Sequence, residues 1–248
     1  MSIGKIVLDD NLLLAYLKGD KTRKYKKLMR KYIYPHATNF RQLTNIMKIS
    51  GDLPELRPLL SQMANDAYSN YDLPSLALET IFKIILTDDS NKRFPYVHYE
   101  DAVVNNRLTF HLSPTDDRVN LKSHLQRLCE NANKITICDN YFASNWTYTS
   151  SLFLSIFPKK TLEIEFAETM PNTSSTLNSD NITPQFASSI CAHWSVALTS
   201  HIKYQNCHDR YLLIESPDSK IEVMLSSGFS HVWQPKPKEI TCVFSEVL

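Results

Sequence analysis

A histidine, an arginine and a carboxylate near the C-terminus are spaced in a way that suits phosphate chemistry. His208 and Arg210 stand two residues apart in CHDRYLLIE, and Glu215 ends that stretch. Residues two apart on a strand project from the same face, so we expect the imidazole and the guanidinium to lie side by side. An arginine can hold two phosphate oxygens at once, and a histidine can attack phosphorus or protonate a leaving oxygen.

Small and hydroxyl-bearing residues end the next predicted strand, in SSGFS. Ser227, Gly228 and Ser230 are candidates for phosphate contact, because small residues let backbone and hydroxyl groups approach an anion. The sequence therefore predicts a phosphate site where these strands end. The structural alternative is a strand-end histidine beside a surface salt bridge, in which Arg210 pairs with Asp209 or Glu215.

At this point the sequence resembles the phospholipase D superfamily. His208-x-Arg210-x4-Glu215 is similar to the H-x-K-x4-D signature, and Gly228-x-Ser230 to the small-residue segment that follows it. KITICDNYF (134–142) and HDRYLLI resemble single-motif members, many of which are bacterial. The resemblance covers about residues 118–248 and implies a mixed β-sheet domain flanked by helices.

The resemblance also implies a metal-independent phosphodiesterase without a cofactor. In such an enzyme His208 is the nucleophile, Arg210 clamps the phosphate, Glu215 orients the partner histidine and Ser230 donates to a phosphate oxygen. Gly228 and Ser227 would bind phosphate. Because each chain carries one motif, a homodimer is implied. We expect a nuclease acting on DNA, in prokaryotic DNA metabolism or in defence against phages and mobile elements.

Several departures from the family pattern favour a different class of function. Arginine replaces the lysine, glutamate replaces the aspartate, the spacing to Gly228 is longer, and the downstream asparagine is absent from GFSHVW. Diverged relatives keep the fold and bind without catalysis. The alternative is therefore a catalytically degenerate adaptor subunit of a multi-protein complex. A third interpretation, binding to a lipid surface, has only a basic segment near the N-terminus and the analogy with such relatives to support it.

The basic segment near the N-terminus could add sequence-independent contacts with nucleic acid. Residues 1–31 hold nine lysines and arginines against three aspartates, although the whole chain has a net charge of only +1. Such a density of cations binds phosphates strongly and in a salt-dependent way. The alternative is a solvated helix face. The candidates are Lys18, Lys21, Arg23, Lys24, Lys26, Lys27, Arg30 and Lys31.

Three aspartates follow short apolar runs. Asp139, with Tyr141 close behind, ends the first strand of the C-terminal half, where open α/β sheets place ligand residues; a turn aspartate and a half-buried tyrosine is the simpler interpretation. Asp9 and Asp10 follow Ile6–Leu8, and IVLDDNLLLAYL resembles the opening of PIN-type nucleases. A capped helix start is the favoured interpretation there, because we predict no alternating strands after it.

The pattern of elements predicts an α/β protein in two parts. Residues 1–114 read as a mostly helical domain, with helices over 11–34, 39–50, 53–71 and 73–89. Residues 115–248 read as helix–strand–helix–strand–helix followed by three strands, with the third helix over 186–202. A short strand over 107–113 precedes the boundary, which we place near residue 114.

Composition excludes several classes of protein. The chain has 248 residues and only four glycines, none closely spaced, so glycine-rich nucleotide-binding loops are absent. The five cysteines form no CxxC pair, so neither zinc-ligand spacing nor a disulfide framework is expected. No apolar run is long enough to cross a bilayer, and no secretory leader is evident. We therefore expect a cytoplasmic protein.

Overall fold

The structure is a computed structural model that divides into two compact units, one over residues 1–108 and one over 109–248. It describes residues 4–19, 23, 26, 36–51, 53–100, 107–139, 141–166, 182–199 and 209–247. The division falls six residues before the boundary expected from the sequence. The α/β fold class is confirmed, since both units combine helices with a sheet.

The first unit contains a four-stranded parallel sheet that the sequence analysis did not predict. Its strands are β1 (Ile6–Leu8), β2 (His36–Ala37), β3 (Ile85–Thr87) and β4 (Tyr96–His98), in the order β2-β1-β3-β4. A mostly helical domain was expected over residues 1–114, with no strand before residue 107. The strands are two or three residues long, and β1 and β3 are buried throughout, so the sequence offers no alternating pattern long enough to recognise.

The helices of the first unit begin and end at residues that suit those positions. They are α1 (Asp10–Lys18), α2 (Phe40–Ser50), α3 (Arg57–Met63) and α4 (Leu73–Leu78). The Asn39 side chain caps α2 by accepting from the Gln42 N–H, as predicted. Gly19 ends α1 with a φ of 60°, in the left-handed region that glycine adopts readily.

The helix predicted over 73–89 is instead a short helix followed by a strand. After α4 the chain turns, Lys83 takes a positive φ of 53°, and β3 enters the centre of the parallel sheet. Ile84, Ile85 and Leu86 are buried by at least 98% of their surface. A continuous apolar run of this kind suits a strand covered on both faces as well as a buried helix.

The second unit contains a mixed seven-stranded sheet in the order β5-β11-β10-β9-β6-β7-β8. Strands β6, β7 and β8 are parallel to one another, whereas β9, β10 and β11 pair antiparallel. The strands are β5 (Arg107–Leu112), β6 (Lys134–Cys138), β7 (Leu162–Phe166), β8 (Trp194–Leu198), β9 (Arg210–Ser216), β10 (Ser219–Leu225) and β11 (Ile240–Glu246).

Three described helices accompany this sheet: α5 (Val119–Cys129), α6 (Trp146–Ser151) and α7 (Pro184–Ser189). The predicted strands and the first two predicted helices are present. The helix predicted over 186–202 was wrong, because α7 ends at Ser189 and β8 follows, parallel to β7. His193 lies just before β8.

No helix in the described ranges is long and apolar enough to cross a membrane.

Acidification should weaken the first unit through His36 in β2. Burial lowers the pKa of His36 from 6.5 to about 4. The unfolded chain takes up a proton near pH 6.5, whereas the folded chain resists it, so the stability is fully present above that pH and is lost as the pH falls toward 4. The expected loss between pH 7 and pH 5 is about 2 kcal/mol. Amide hydrogen exchange over β1, compared between wild type and His36→Gln at each pH, measures it.

The histidine of β4 supplies the control for this experiment. His98→Gln should show the same pH-dependent weakening of β1 as wild type, because His36 is still present. A His36→Gln variant whose protection factors over β1 fall as much as those of wild type between pH 7 and pH 5 would contradict the assignment to His36.

Candidate phosphate-binding site

One edge of the seven-stranded sheet gathers side chains from three separate parts of the chain. In the register of β6 and β9, Cys138 faces Tyr211, so the residue after β6 lies beside the first residue of β9. Arg210 in turn faces Leu225, the last residue of β10. The end of β6, the start of β9 and the loop after β10 therefore meet at this edge.

The Asp139 carboxylate connects these three segments. It is 3% exposed, and its Oδ1 accepts from the Tyr141 N–H at 2.9 Å while its Oδ2 accepts from the Phe229 N–H at 3.0 Å. The Arg210 Nε lies 3.7 Å from Oδ1. The interpretation of Asp139 as a turn residue describes only its bond to Tyr141. Its contacts with Arg210 and Phe229 are long-range, and no local sequence pattern predicts them.

Arg210 lies between this carboxylate and an aromatic ring. Its side chain is 20% exposed, and its Cζ lies 5.3 Å from the centroid of the Tyr141 ring. A guanidinium at this distance from an aromatic face gains about 0.5–1 kcal/mol at an exposed site. Arg210 is thus held in place while part of its side chain remains accessible to solvent.

Gly228 leaves an opening at the centre of the site. A Cβ at this position would lie 3.5 Å from Asp139 Oδ2, 3.6 Å from Ser230 Oγ and 4.0 Å from Arg210 Nε. Its φ of −58° and ψ of 150° are accessible to any residue, so the backbone does not require glycine here. The missing side chain leaves space beside a cation and a hydroxyl.

The two candidate serines have different surroundings. Ser230 is 4% exposed and its hydroxyl borders the opening at Gly228. The Ser227 hydroxyl donates to the Glu239 carbonyl at 3.3 Å, which directs it toward the start of β11. The structure thus brings Arg210, Gly228 and Ser230 together and ties Ser227 to the neighbouring strand.

Glu215 lies at the opposite end of β9 from Arg210. Five residues of extended strand separate the two, about 16 Å, and an odd separation places them on opposite faces. The Glu215 Oε2 forms an ion pair with Lys220 Nζ at 3.0 Å across the turn between β9 and β10. The structure does not bring this carboxylate to the opening at Gly228.

Several candidates lie outside the described residues. They are His208, Lys21, Lys24, Lys27, Arg30 and Lys31. The three basic-segment residues that the structure describes, Lys18, Arg23 and Lys26, are exposed to solvent.

His231 is a further member of the site that the predicted motif did not include. It lies in a short 3-10 helix, Phe229–Val232, and its Nδ1 accepts from the Lys238 N–H at 3.1 Å and also contacts the Gln234 side-chain amide. The neutral ring therefore carries its proton on Nε2, as a donor. In the sequence, only the position of His231 directly after the SSGFS segment pointed to it.

The charges around His231 are mostly positive. Burial, Lys238 and Arg210 lower the pKa of His231, Asp139 raises it, and Arg118 lowers it further. Three cations and one anion thus act on this imidazole. Burial and these charges keep the imidazole of His231 neutral over a wider pH range than that of a free histidine.

The two aspartates after β1 support the fold of the first unit. Asp9 is 1% exposed; its carboxylate caps α1 through the Leu12 N–H, accepts from the Thr87 hydroxyl and pairs with Lys92 Nζ at 3.3 Å. Burial is the largest influence on Asp10 and raises its pKa. Across the part of the chain that the structure describes, no group of three or more His, Cys, Asp or Glu side chains is arranged to hold a metal ion.

A scan of protein-family models and a search of curated proteins found no match to this chain. Any function assigned to the chain therefore rests on its own residues and on the geometry of this site.

Replacing Asp139 by asparagine should destabilise the second unit. The amide can accept from only one of the two backbone N–H groups that the carboxylate now satisfies, and it cannot pair with Arg210. We expect the free energy of unfolding to fall by about 1–3 kcal/mol. Urea unfolding followed by tryptophan fluorescence measures this, because Trp146, Trp194 and Trp233 all lie in the second unit.

The exposed carboxylate of Glu130 provides the matched control. Glu130→Gln should change the free energy of unfolding by less than about 0.5 kcal/mol. Equal stabilities of Asp139→Asn and Glu130→Gln would show that the bridge between the two loops contributes nothing.

Proposed function

We propose that the second unit binds a phosphodiester of nucleic acid at the sheet edge around Arg210 and cleaves it in the manner of phospholipase-D-like nucleases. The observation that carries the proposal is the opening at Gly228, which is bordered by the Asp139 carboxylate, the Ser230 hydroxyl and the Arg210 guanidinium. A phosphate oxygen there could accept from the hydroxyl and the guanidinium. Arginine is suited to this role because its planar donors match phosphate geometry.

The electrostatic setting supports an anionic ligand rather than a neutral one. Besides burial, Lys238, Arg210 and Arg118 all lower the pKa of His231, and Asp139 is the acid that raises it. Asp139 is buried and already accepts from two backbone N–H groups. A bound phosphate would therefore meet Arg210 on the accessible side of the site.

Catalysis is assigned to His208, two residues before Arg210 in the sequence. In the proposed reaction its imidazole forms a bond with phosphorus as the bond to the leaving sugar oxygen breaks. That oxygen takes a proton from the His208 of a second copy of the chain. Water then hydrolyses the phosphorus–nitrogen bond and frees the imidazole. No metal takes part, and two copies are required.

The substrate that we propose is DNA, and the context is prokaryotic DNA metabolism or defence against phages and mobile elements. The basic segment would contact further phosphates without regard to sequence through residues such as Lys18, Arg23 and Lys26, which are exposed.

We place the protein in the cytoplasm as part of the same proposal. Cys129, Cys138, Cys191 and Cys242 are thiols, in keeping with a reducing compartment.

The second candidate function is that of a degenerate adaptor in a multi-protein complex. It is favoured by the contact between Arg210 and Asp139, which satisfies part of the guanidinium within the protein. The position of Glu215, paired with Lys220 at the far end of β9, also departs from the role that the family resemblance assigns to it.

A nuclease assay in the presence of EDTA separates catalysis from adaptor function. Wild type should cleave DNA with the chelator present, and His208→Ala should lose at least about a hundredfold in rate, since it removes the nucleophile. His193→Ala, which changes a histidine before β8, is the control and should keep full activity. Cleavage that survives His208→Ala, or no cleavage of any DNA, would leave the adaptor as the better proposal.

Binding of DNA to Gly228→Ala tests the phosphate site separately from catalysis. The added methyl group makes only ordinary van der Waals contacts in an accessible backbone conformation, so the free energy of unfolding should change by less than about 0.5 kcal/mol. The methyl group nevertheless fills the opening. We expect affinity for DNA, measured by filter binding, to fall about tenfold, and a similar loss for Arg210→Ala.

Arg93→Ala removes an exposed arginine of the first unit and serves as the control for Arg210→Ala. Its affinity should stay within about twofold of wild type. If Gly228→Ala is folded and binds DNA as tightly as wild type, the opening at Gly228 is not a phosphate site.

A further inference from the structure

We propose that the nucleic acid bound at this site is single-stranded, and that one of its bases stacks on the ring of Tyr141 beside the phosphate held by Arg210. This inference rests on the proposed function and adds the class of substrate. The observation behind it is an exposed aromatic ring in direct contact with the arginine of the phosphate site.

The Tyr141 side chain is exposed although the residues that follow it are buried. Its exposed fraction is 48%, against 1% for Phe142 and 8% for Ala143. An aromatic ring gains by leaving water, so a tyrosine held at the surface offers apolar area to a ligand. Of the large hydrophobic side chains that the structure describes as exposed, Tyr141 is the one in contact with Arg210.

The backbone that carries this ring is held by four hydrogen bonds. The Tyr141 N–H donates to Asp139 Oδ1 at 2.9 Å, and its carbonyl accepts from Ser144 Oγ at 3.0 Å, from the Asn145 N–H at 3.0 Å and from Asn145 Nδ2 at 3.1 Å. A platform that is already ordered loses little conformational entropy when a ligand stacks on it.

The ring and the guanidinium are spaced as neighbouring contacts for one nucleotide. A base is separated from its phosphate by a single sugar, and the Tyr141 ring lies against the Arg210 side chain. Every base has a π-face, so stacking on one tyrosine is tolerant of sequence and is worth about 1–3 kcal/mol per base. The arrangement suits binding without base-specific hydrogen bonds.

Stacking on a protein ring selects for an unpaired strand. In a duplex the faces of the bases are covered by their neighbours, and only the edges are accessible in the grooves. A lipid headgroup supplies the same phosphate chemistry but no planar ring. A single strand therefore uses both Tyr141 and Arg210, whereas a duplex or a lipid surface uses Arg210 alone.

Fluorescence anisotropy with three labelled ligands tests this inference on the full chain. The ligands are a single-stranded DNA of about 12 nucleotides, an abasic strand of the same length, and a duplex of the same sequence. Wild type should bind the single strand about tenfold more tightly than the abasic strand, because only the former can stack. The duplex should bind about as weakly as the abasic strand.

Two substitutions of Tyr141 separate the ring from its hydroxyl. Tyr141→Leu should weaken binding of the single strand about tenfold and leave binding of the abasic strand unchanged. Tyr141→Phe should stay within about twofold of wild type on both, because stacking needs only the ring. Tyr71→Leu, which alters a 38% exposed tyrosine of the first unit, is the matched control and should bind as wild type.

The single strand and the abasic strand also distinguish failure of this inference from failure of the proposed function. Equal affinity of wild type for the two strands, with loss of both in Arg210→Ala, would overturn stacking and keep the phosphate site. No binding of either strand by wild type would overturn both. Tight binding of the duplex that is unaffected by Tyr141→Leu would overturn the preference for a single strand.

Discussion

The candidate site depends on one buried carboxylate. Asp139 follows a central strand of the sheet and accepts from the backbone of two loops, one after β6 and one after β10, while it also pairs with Arg210. A buried carboxylate is stable only when its oxygens are hydrogen-bonded or paired with a cation, and here they are both. By meeting this requirement, Asp139 holds in place the arginine, the loop that contains Gly228 and the residue that carries the Tyr141 ring.

The first unit uses the same device at the end of β1. Asp9 caps the helix that follows its strand, accepts from Thr87 at the end of a neighbouring strand and pairs with Lys92. In each unit an aspartate at a strand end accepts hydrogen bonds from donors of separate segments and so holds those segments together. The difference lies in accessibility, because the site at Asp139 has an opening beside it.

The sequence predicted the elements whose residues alternate. β10 and β11 were predicted because buried residues such as Ile221, Val223 and Leu225 occur at every second position. β3 was missed because its residues are buried throughout, which fits a helix equally well. β8 was missed because the turn between Ser189 and Trp194 contains neither proline nor glycine, the residues that normally mark such a break.

The site itself was predicted only in part, for a physical reason. Arg210, Gly228 and Ser230 were found because they belong to one local motif, and the structure places them together. Asp139 was weighed as a turn residue and His231 was left out of the motif, because their roles arise from strand pairing rather than from neighbouring sequence. The role assigned to Glu215 assumed that it lies near the other residues of the motif. Because β9 is extended, Glu215 lies instead at the opposite end of the strand from Arg210.

The hydrogen bond between Asp139 and Phe229 also determines when the site can form during synthesis of the chain. Asp139 and Phe229 are separated by ninety positions in the chain, and the hydrogen bond between them closes that whole segment. Such long-range contacts form late, because the entropy of a large loop must be overcome before they are made. A chain still emerging from the ribosome can complete its parallel strands first, but it acquires the phosphate site only after the loop that follows β10 has been synthesised.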